Sequence, residues 1–158
     1  MVEFLLPGME NRKIEQINWA FMAVSFSGFL DALYLSIQRL RGVPIICTIL
    51  EGCNKVANSI YAEILNVPVA YLGVAYYFLI FLMAIWFLSS KNRNTFLLMS
   101  VFTIVGFFAS VWFVYLQVFV IKAICSYCMI SALTSTLLFI LGTYYLVTHY
   151  KKGRGLSK

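Results

Sequence analysis

Charge is scarce in this 158-residue chain: 12 Lys and Arg and 6 Asp and Glu, against 62% hydrophobic residues. So little polar surface cannot cover a soluble globule, and the mean hydropathy of +0.88 places the chain among integral membrane proteins. Low-complexity tracts and convincing internal repeats are also missing, which leaves one short domain over residues 1–158. The net charge of +6 comes mainly from short runs between and after apolar stretches. There it reads as a topology signal, and a nucleic-acid surface is a poor account of it. The single histidine, His149, lies far from every cysteine and is given no role.

A bilayer core of about 30 Å needs roughly 20 apolar residues of helix. The chain offers that length over residues 17–38, 69–89, 95–121 and 124–148, so the expected fold is an all-α bundle of four transmembrane helices. Arg12 and Lys13 precede the first span as they would a signal peptide, but no small-residue cleavage site follows, and the span reads as an anchor. Eight basic residues (Arg12, Lys13, Lys91, Arg93, Lys151, Lys152, Arg154 and Lys158) fall on one side, leaving Arg39, Arg41, Lys55 and Lys122 on the other. The majority side should be cytoplasmic, with both termini inside. The connection from Arg39 to Pro68 and the turn at Lys122 and Ala123 are then extracytoplasmic. Within that connection, Gly42, Pro44 and Gly52 favour irregular chain. The stretch "CNKVANSIYAEILN" carries Val56, Ile60 and Ile64 at helical spacing, which predicts a short amphipathic surface helix.

The chain has four cysteines, Cys47, Cys53, Cys125 and Cys128, and this topology puts all of them on the extracytoplasmic side, where disulfides persist. Cys125 and Cys128 form a C-x-x-C pair at the start of the fourth span, on one helical face. The helix N-terminus favours thiolate there, and Lys122 adds positive charge one turn earlier. Cys128 lies about 4.5 Å deeper along the axis, so Cys125 is expected to face the aqueous partner and Cys128 the lipid-side one. Cys47 and Cys53 can close a disulfide in a mobile loop, either as a carrier pair or as a plain staple. Four thiolates could instead bind zinc, although the loop spacing is wrong for a zinc knuckle. Unreactive buried thiols are the third reading. A transmembrane thiol relay would need cysteines near the cytoplasmic ends, and the sequence has none there.

Taken together, "DALYLS" closing span one, Cys47 and Cys53 in the loop, "CNKVANS", "VPVAYLGVAYY" opening span two and "CSYC" opening span four resemble the vitamin K epoxide reductase family, specifically its prokaryotic quinone-linked members. The resemblance implies a four-helix bundle that holds a quinone, of ubiquinone or menaquinone type, against the C-x-x-C pair. It further implies that Cys128 meets the quinone, Cys125 exchanges with the loop pair, and Ser59 lines the quinone site. Electrons would come from an extracytoplasmic thioredoxin-like partner and support disulfide formation in exported proteins. The protein would sit in a prokaryotic plasma membrane among lipid. The loop spacing resembles prokaryotic members more than animal ones, which argues against vitamin K epoxide as substrate. Only ten residues follow Thr148, so the partner is expected to be a separate protein and not a fused thioredoxin-like domain.

Other polar or aromatic residues in the spans need an account. Asp31 lies inside span one, about 12 Å along the axis from Arg39. An intramembrane carboxylate is a functional candidate by default, here for conducting protons to the quinone; hydrogen bonding to a Ser or Tyr on another helix is the bland account. Gln117 on span three carries the same ambiguity. Trp112, Tyr115 and Phe119 border a quinone headgroup or form an outer aromatic band. Ser131, Ala132, Thr134, Ser135 and Thr136 let helices approach closely.

Overall fold

The structure, a computed structural model, describes residues 6–42, 44, 52–64, 67–90 and 93–155. Four of its helices are long and apolar enough to cross a membrane. These are α1 (Leu6–Arg41), α3 (Val69–Ser90), α4 (Arg93–Tyr115), extended by π-helical turns over Leu116–Ile121, and α5 (Ser126–Gly155). Each packs on two neighbours in the cyclic order α1, α3, α4, α5, so the chain forms an all-α membrane bundle. The expected spans fall on these helices, apart from the first two residues of the fourth, and α1 runs well beyond its span at the N-terminal end.

The inward stripe of each helix is chemically mixed. On α1 it is Asn18, Phe21, Ser25, Gly28, Ala32 and Ser36, spaced three or four apart. Large apolar side chains such as Trp86, Val105 and Phe108 point outward. With lipid as solvent, the outer face is as apolar as the inner one, and helices associate through small and hydrogen-bonded residues. Tyr77 shows how. Its ring fills the space where a side chain at Gly28 would stand. Its hydroxyl donates to the Ser131 carbonyl at 2.7 Å and lies 2.9 Å from the Thr134 hydroxyl, joining α3 to α5.

The two ends of the bundle differ. At one end, Phe96 meets Phe21, Phe87 and Tyr145 at ring separations of 5.5, 4.9 and 3.9 Å, so side chains from all four helices plug the core. The other end carries a cap: helix α2 (Cys53–Ala57), a 3₁₀ turn (Ile60–Ala62), and strands β1 (Glu63–Ile64) and β2 (Val67–Pro68). The strands pair antiparallel, Glu63 opposite Pro68 and Ile64 opposite Val67.

The cap departs from the predicted surface helix, which ends after Ala57. The Ser59 hydroxyl donates to the Val56 carbonyl at 2.8 Å, and the Asn58 N–H to the Asn54 carbonyl at 3.1 Å. Ser and Asn at this point offer the backbone local bonds that compete with helix. Ser59 turns extended at φ −73°, ψ 154°. Arg39, at the end of α1, binds the Ala57 carbonyl and the Glu63 carboxylate, and donates to Asn58 Oδ1 at 3.2 Å. The cap is thereby tied to the first helix.

Candidate functional site

The cap end holds Cys53, Cys125 and Cys128. Cys53 is 1% exposed and Cys125 2% exposed, and they share one buried cluster in which Tyr34, Leu35, Val56, Ala57, Tyr127 and Cys128 pack. Cys53 is disulfide-bonded, whereas Cys125 and Cys128 are free thiols. Cys47 lies outside the described residues, as does most of the irregular stretch before Gly52.

Close approach brings the cap to the sulfurs. A Cβ on Gly52 would lie 2.5 Å from the Ile124 carbonyl oxygen and 2.8 Å from its nitrogen. Only a residue without a side chain lets the backbone before Cys53 lie on the backbone before Cys125. From the other side, Lys122 takes a left-handed conformation, φ 53° and ψ 41°, which ends the π-helical turns and reverses the chain.

The fourth helix therefore starts later than expected, at Ser126. Cys125 is its N-cap residue: the Cys125 carbonyl accepts the Met129 N–H at 3.1 Å. This places the sulfur ahead of the spanning helix, where the first free N–H groups can reach it. The thiol is lowered to about 7 from an ordinary 9.0, chiefly by its hydrogen bond with the Cys128 thiol; burial opposes, and the N–H groups of Cys128 and Tyr127 assist. Cys125 is buried against the cap, on the side of the loop cysteine Cys53. The cap covers it, and Cys128 is the less buried of the two.

Below the sulfurs lies a cavity of about 350 Å³, whose wall includes Asp31, Ser59, Tyr76, Gln117, Cys125 and Cys128. It thus brings four of the residues predicted for the site together: Asp31, Ser59, Cys125 and Cys128. Trp112, Tyr115 and Phe119 are 59, 48 and 65% exposed and do not line it; they face outward as an aromatic band would. The wall is predominantly apolar with a few polar groups, and the volume lies in the range of small-molecule sites. Most of the polar groups are satisfied within the protein. The Ser110 and Ser135 hydroxyls pair at 2.6 Å, and Ser59 gives its proton to Val56. Asp31 Oδ2 and the Tyr76 hydroxyl oxygen are buried and have no hydrogen-bond partner among the described residues. The Ser or Tyr partner considered for Asp31 is therefore missing at that oxygen. The Tyr76 hydroxyl can donate to a quinone carbonyl, as Asp31 can when protonated, so the donors of this apolar wall fit such a ligand.

Three residues that build the site carry little signal in the sequence. Gly52 resembles any loop glycine, and Arg39 any flanking cation. Gln117 is visible as a polar residue in an apolar run eight positions before Cys125, but its carboxamide contact with the Cys125 N–H depends on the π-helical turns.

No curated protein matches the chain. The profile of the vitamin K epoxide reductase family matches residues 19–143, from the first spanning helix into the last, and includes the cap and both groups of cysteines. With four membrane-spanning helices enclosing a reduced C-x-x-C pair beneath a disulfide-bearing cap, the chain belongs to the vitamin K epoxide reductase family and is a membrane thiol oxidoreductase.

Proposed function

We propose that the protein passes electrons from a thioredoxin-like partner, through Cys47 and Cys53 and then Cys125 and Cys128, to a quinone of ubiquinone or menaquinone type. The observation that carries this reading is the burial of Cys53 and Cys125 in one cluster while Cys128 lines the adjoining cavity. The disulfide on Cys53 also supports redox chemistry over a four-thiolate zinc site, since a disulfide sulfur is not a thiolate ligand.

Burial suggests the order of exchange. A partner thiolate cannot reach Cys53, which is 1% exposed, so it attacks Cys47 of a Cys47–Cys53 disulfide. That forms a partner–Cys47 bond and releases Cys53 as thiolate; the partner's second thiol then breaks the mixed bond and leaves Cys47 reduced. Cys53 next attacks Cys125 of an oxidised Cys125–Cys128 pair, releasing Cys128. Cys47 then displaces Cys125 and closes the loop disulfide again. The result is an oxidised loop pair and a reduced inner pair, as Cys53 and the two free thiols stand in this structure.

A quinone held by this wall would supply an acceptor for two electrons and two protons. Cys125 and Cys128 give up those electrons as they close their disulfide. Asp31, with one oxygen unpartnered in the same wall, is the candidate carrier for their protons. The apolar wall and the cap keep water from the sulfurs. Ser59 lines the cavity near the cap and can accept, but not donate, a hydrogen bond there, because its proton is committed to Val56. The basic residues favour an orientation with both termini cytoplasmic. The cap then faces the compartment of exported proteins in a prokaryotic plasma membrane, where a regenerated thioredoxin-like oxidant supports disulfide formation.

Purified protein supplied with a reduced thioredoxin-like protein and a short-chain quinone tests the proposal. Quinol should form in proportion to the partner disulfide made. Absence of quinol, together with bound zinc at one equivalent, would replace the redox reading with the metal-binding one.

A further inference from the structure

We infer that Gln117 is the hydrogen-bond donor that holds a quinone carbonyl beside the redox sulfurs; this rests on the quinone-reducing reading above. A carboxamide carries one acceptor oxygen and two N–H donors, and burying it in a membrane bundle is costly unless both ends are used. Gln117 is 2% exposed. Its acceptor end is occupied: Oε1 takes the Cys125 N–H at 3.0 Å. Its main-chain carbonyl takes the Ala123 N–H at 3.1 Å, so the residue braces the turn at two points. A backbone N–H can only donate, so the atom facing Cys125 must be the oxygen and the –NH2 must point the other way. No described residue accepts from that –NH2, and Gln117 lines the cavity beside Cys125 and Cys128.

Three other hydroxyls of the wall do not serve the sulfur end. Ser59 donates to Val56, and Tyr77 to the Ser131 carbonyl. The Tyr76 hydroxyl is free, but it lies over Gly106, 2.0 Å from where a Cβ would be. Gly106 is eleven residues before Gln117, roughly 16 Å along the helix. Gln117 alone among these combines a free donor with a direct bond to the C-x-x-C segment. A carbonyl oxygen held by its –NH2 is therefore fixed relative to Cys125 and Cys128, and the donor meets the negative charge that this oxygen gains as electrons arrive.

Three proteins are compared: wild type, Gln117→Leu, which removes donor and acceptor, and Gln117→Glu, which keeps an oxygen for the Cys125 N–H. The readouts are the quinone KM, the pH profile of Cys125 alkylation in reduced protein, and the infrared carbonyl bands of bound quinone labelled with carbon-13 at one carbonyl at a time. Both variants should raise the quinone KM about tenfold or more. Gln117→Leu should disturb the alkylation profile by freeing the Cys125 N–H, and Gln117→Glu should move its midpoint up, because a carboxylate there adds negative charge beside the thiolate. In wild type one carbonyl band should shift to lower frequency and the other should not, with the shift lost in Gln117→Leu. If wild type neither binds nor reduces quinone, the functional reading itself falls. If wild type turns over normally but its two carbonyl bands are alike, or the shift survives in Gln117→Leu, the role of Gln117 is overturned while the function stands. The wild-type bands discriminate between these outcomes even where a variant fails to fold.

Discussion

Replacing Gly52 with alanine places a methyl carbon 2.5 Å from the Ile124 carbonyl oxygen and 2.8 Å from the Ile124 nitrogen. Both obstacles are backbone atoms, so no rotamer change relieves them. Ordinary contact begins at 3.4 Å, and the two segments must therefore separate by about 0.9 Å, or about 0.5 Å if a tight 3.0 Å contact is tolerated. Gly52 itself has φ −79° and ψ −9°, which alanine adopts freely, so the perturbation is steric only. The gap opens between the segments that lead into Cys53 and Cys125. Thiol exchange needs in-line approach of sulfurs, and misplacement near 1 Å costs on the order of a hundredfold in rate. We expect Gly52→Ala to slow quinone reduction driven by a reduced thioredoxin-like protein by about 10- to 100-fold. Activity driven by a small membrane-permeable dithiol, which can enter the cavity and attack the less buried Cys128 without the loop pair, should change much less. Turnover with each donor, measured on protein that retains its thermal transition in detergent, decides the matter. Wild-type rates with the protein donor would refute the claim that this contact sets the Cys53–Cys125 approach, and equal losses with both donors would refute the separation of loop and inner pairs.

Three further outcomes follow from the same geometry. Alkylation of Cys125 in reduced protein should rise with a midpoint near pH 7, falling away as the thiolate is protonated below it, and Cys128→Ala should move that midpoint up toward 9.0 because the Cys128 hydrogen bond is the leading cause of the lowering. With both sulfurs that could resolve it removed, Cys47→Ala combined with Cys128→Ala should accumulate a Cys125 to Cys53 mixed disulfide on chemical oxidation; mass mapping of non-reduced peptides showing instead a dominant Cys53 to Cys128 bridge when Cys47→Ala is combined with Cys125→Ala would reverse the roles of the two sulfurs. Arg39→Ala should loosen the cap, read as faster hydrogen exchange over residues 53–62, and Glu63→Gln should do so less: the ion pair is partly exposed, at 27% and 43%, and contributes about 0.2–1 kcal/mol, while Arg39 also holds the Ala57 carbonyl and Asn58.

Composition and hydropathy determined the membrane class and the four spans, because the length of helix that crosses a bilayer is set by the bilayer and can be read along the chain. Cysteine spacing and the motifs around it likewise pointed to the family, since C-x-x-C chemistry depends on residues close in sequence. The surface helix was only half legible: Val56 and Ile60 have helical spacing, yet Asn58 and Ser59 end the helix between them with bonds that hydrophobic periodicity ignores. The start of the fourth helix was misplaced by two residues for a similar reason. A left-handed Lys122 and the π-helical turns before it leave no mark in hydropathy, but they make Cys125 an N-cap and not a helical residue. Beyond Asp31, Ser59, Cys125 and Cys128, which residues face the cavity was decided by tertiary structure. In lipid both faces of a helix are apolar, so the pattern that separates inside from outside in a water-soluble protein is erased, and the inner wall is marked by small and polar residues whose meaning depends on the helix they meet. Asp31 and Gln117 stand out in the sequence as polar residues within spans, but that Asp31 Oδ2 and the Tyr76 hydroxyl lack a partner among the described residues, and that one end of the Gln117 carboxamide is bound and the other is not, is visible only in the structure. Those are properties of packing between residues distant in the chain, and no single stretch of sequence contains them.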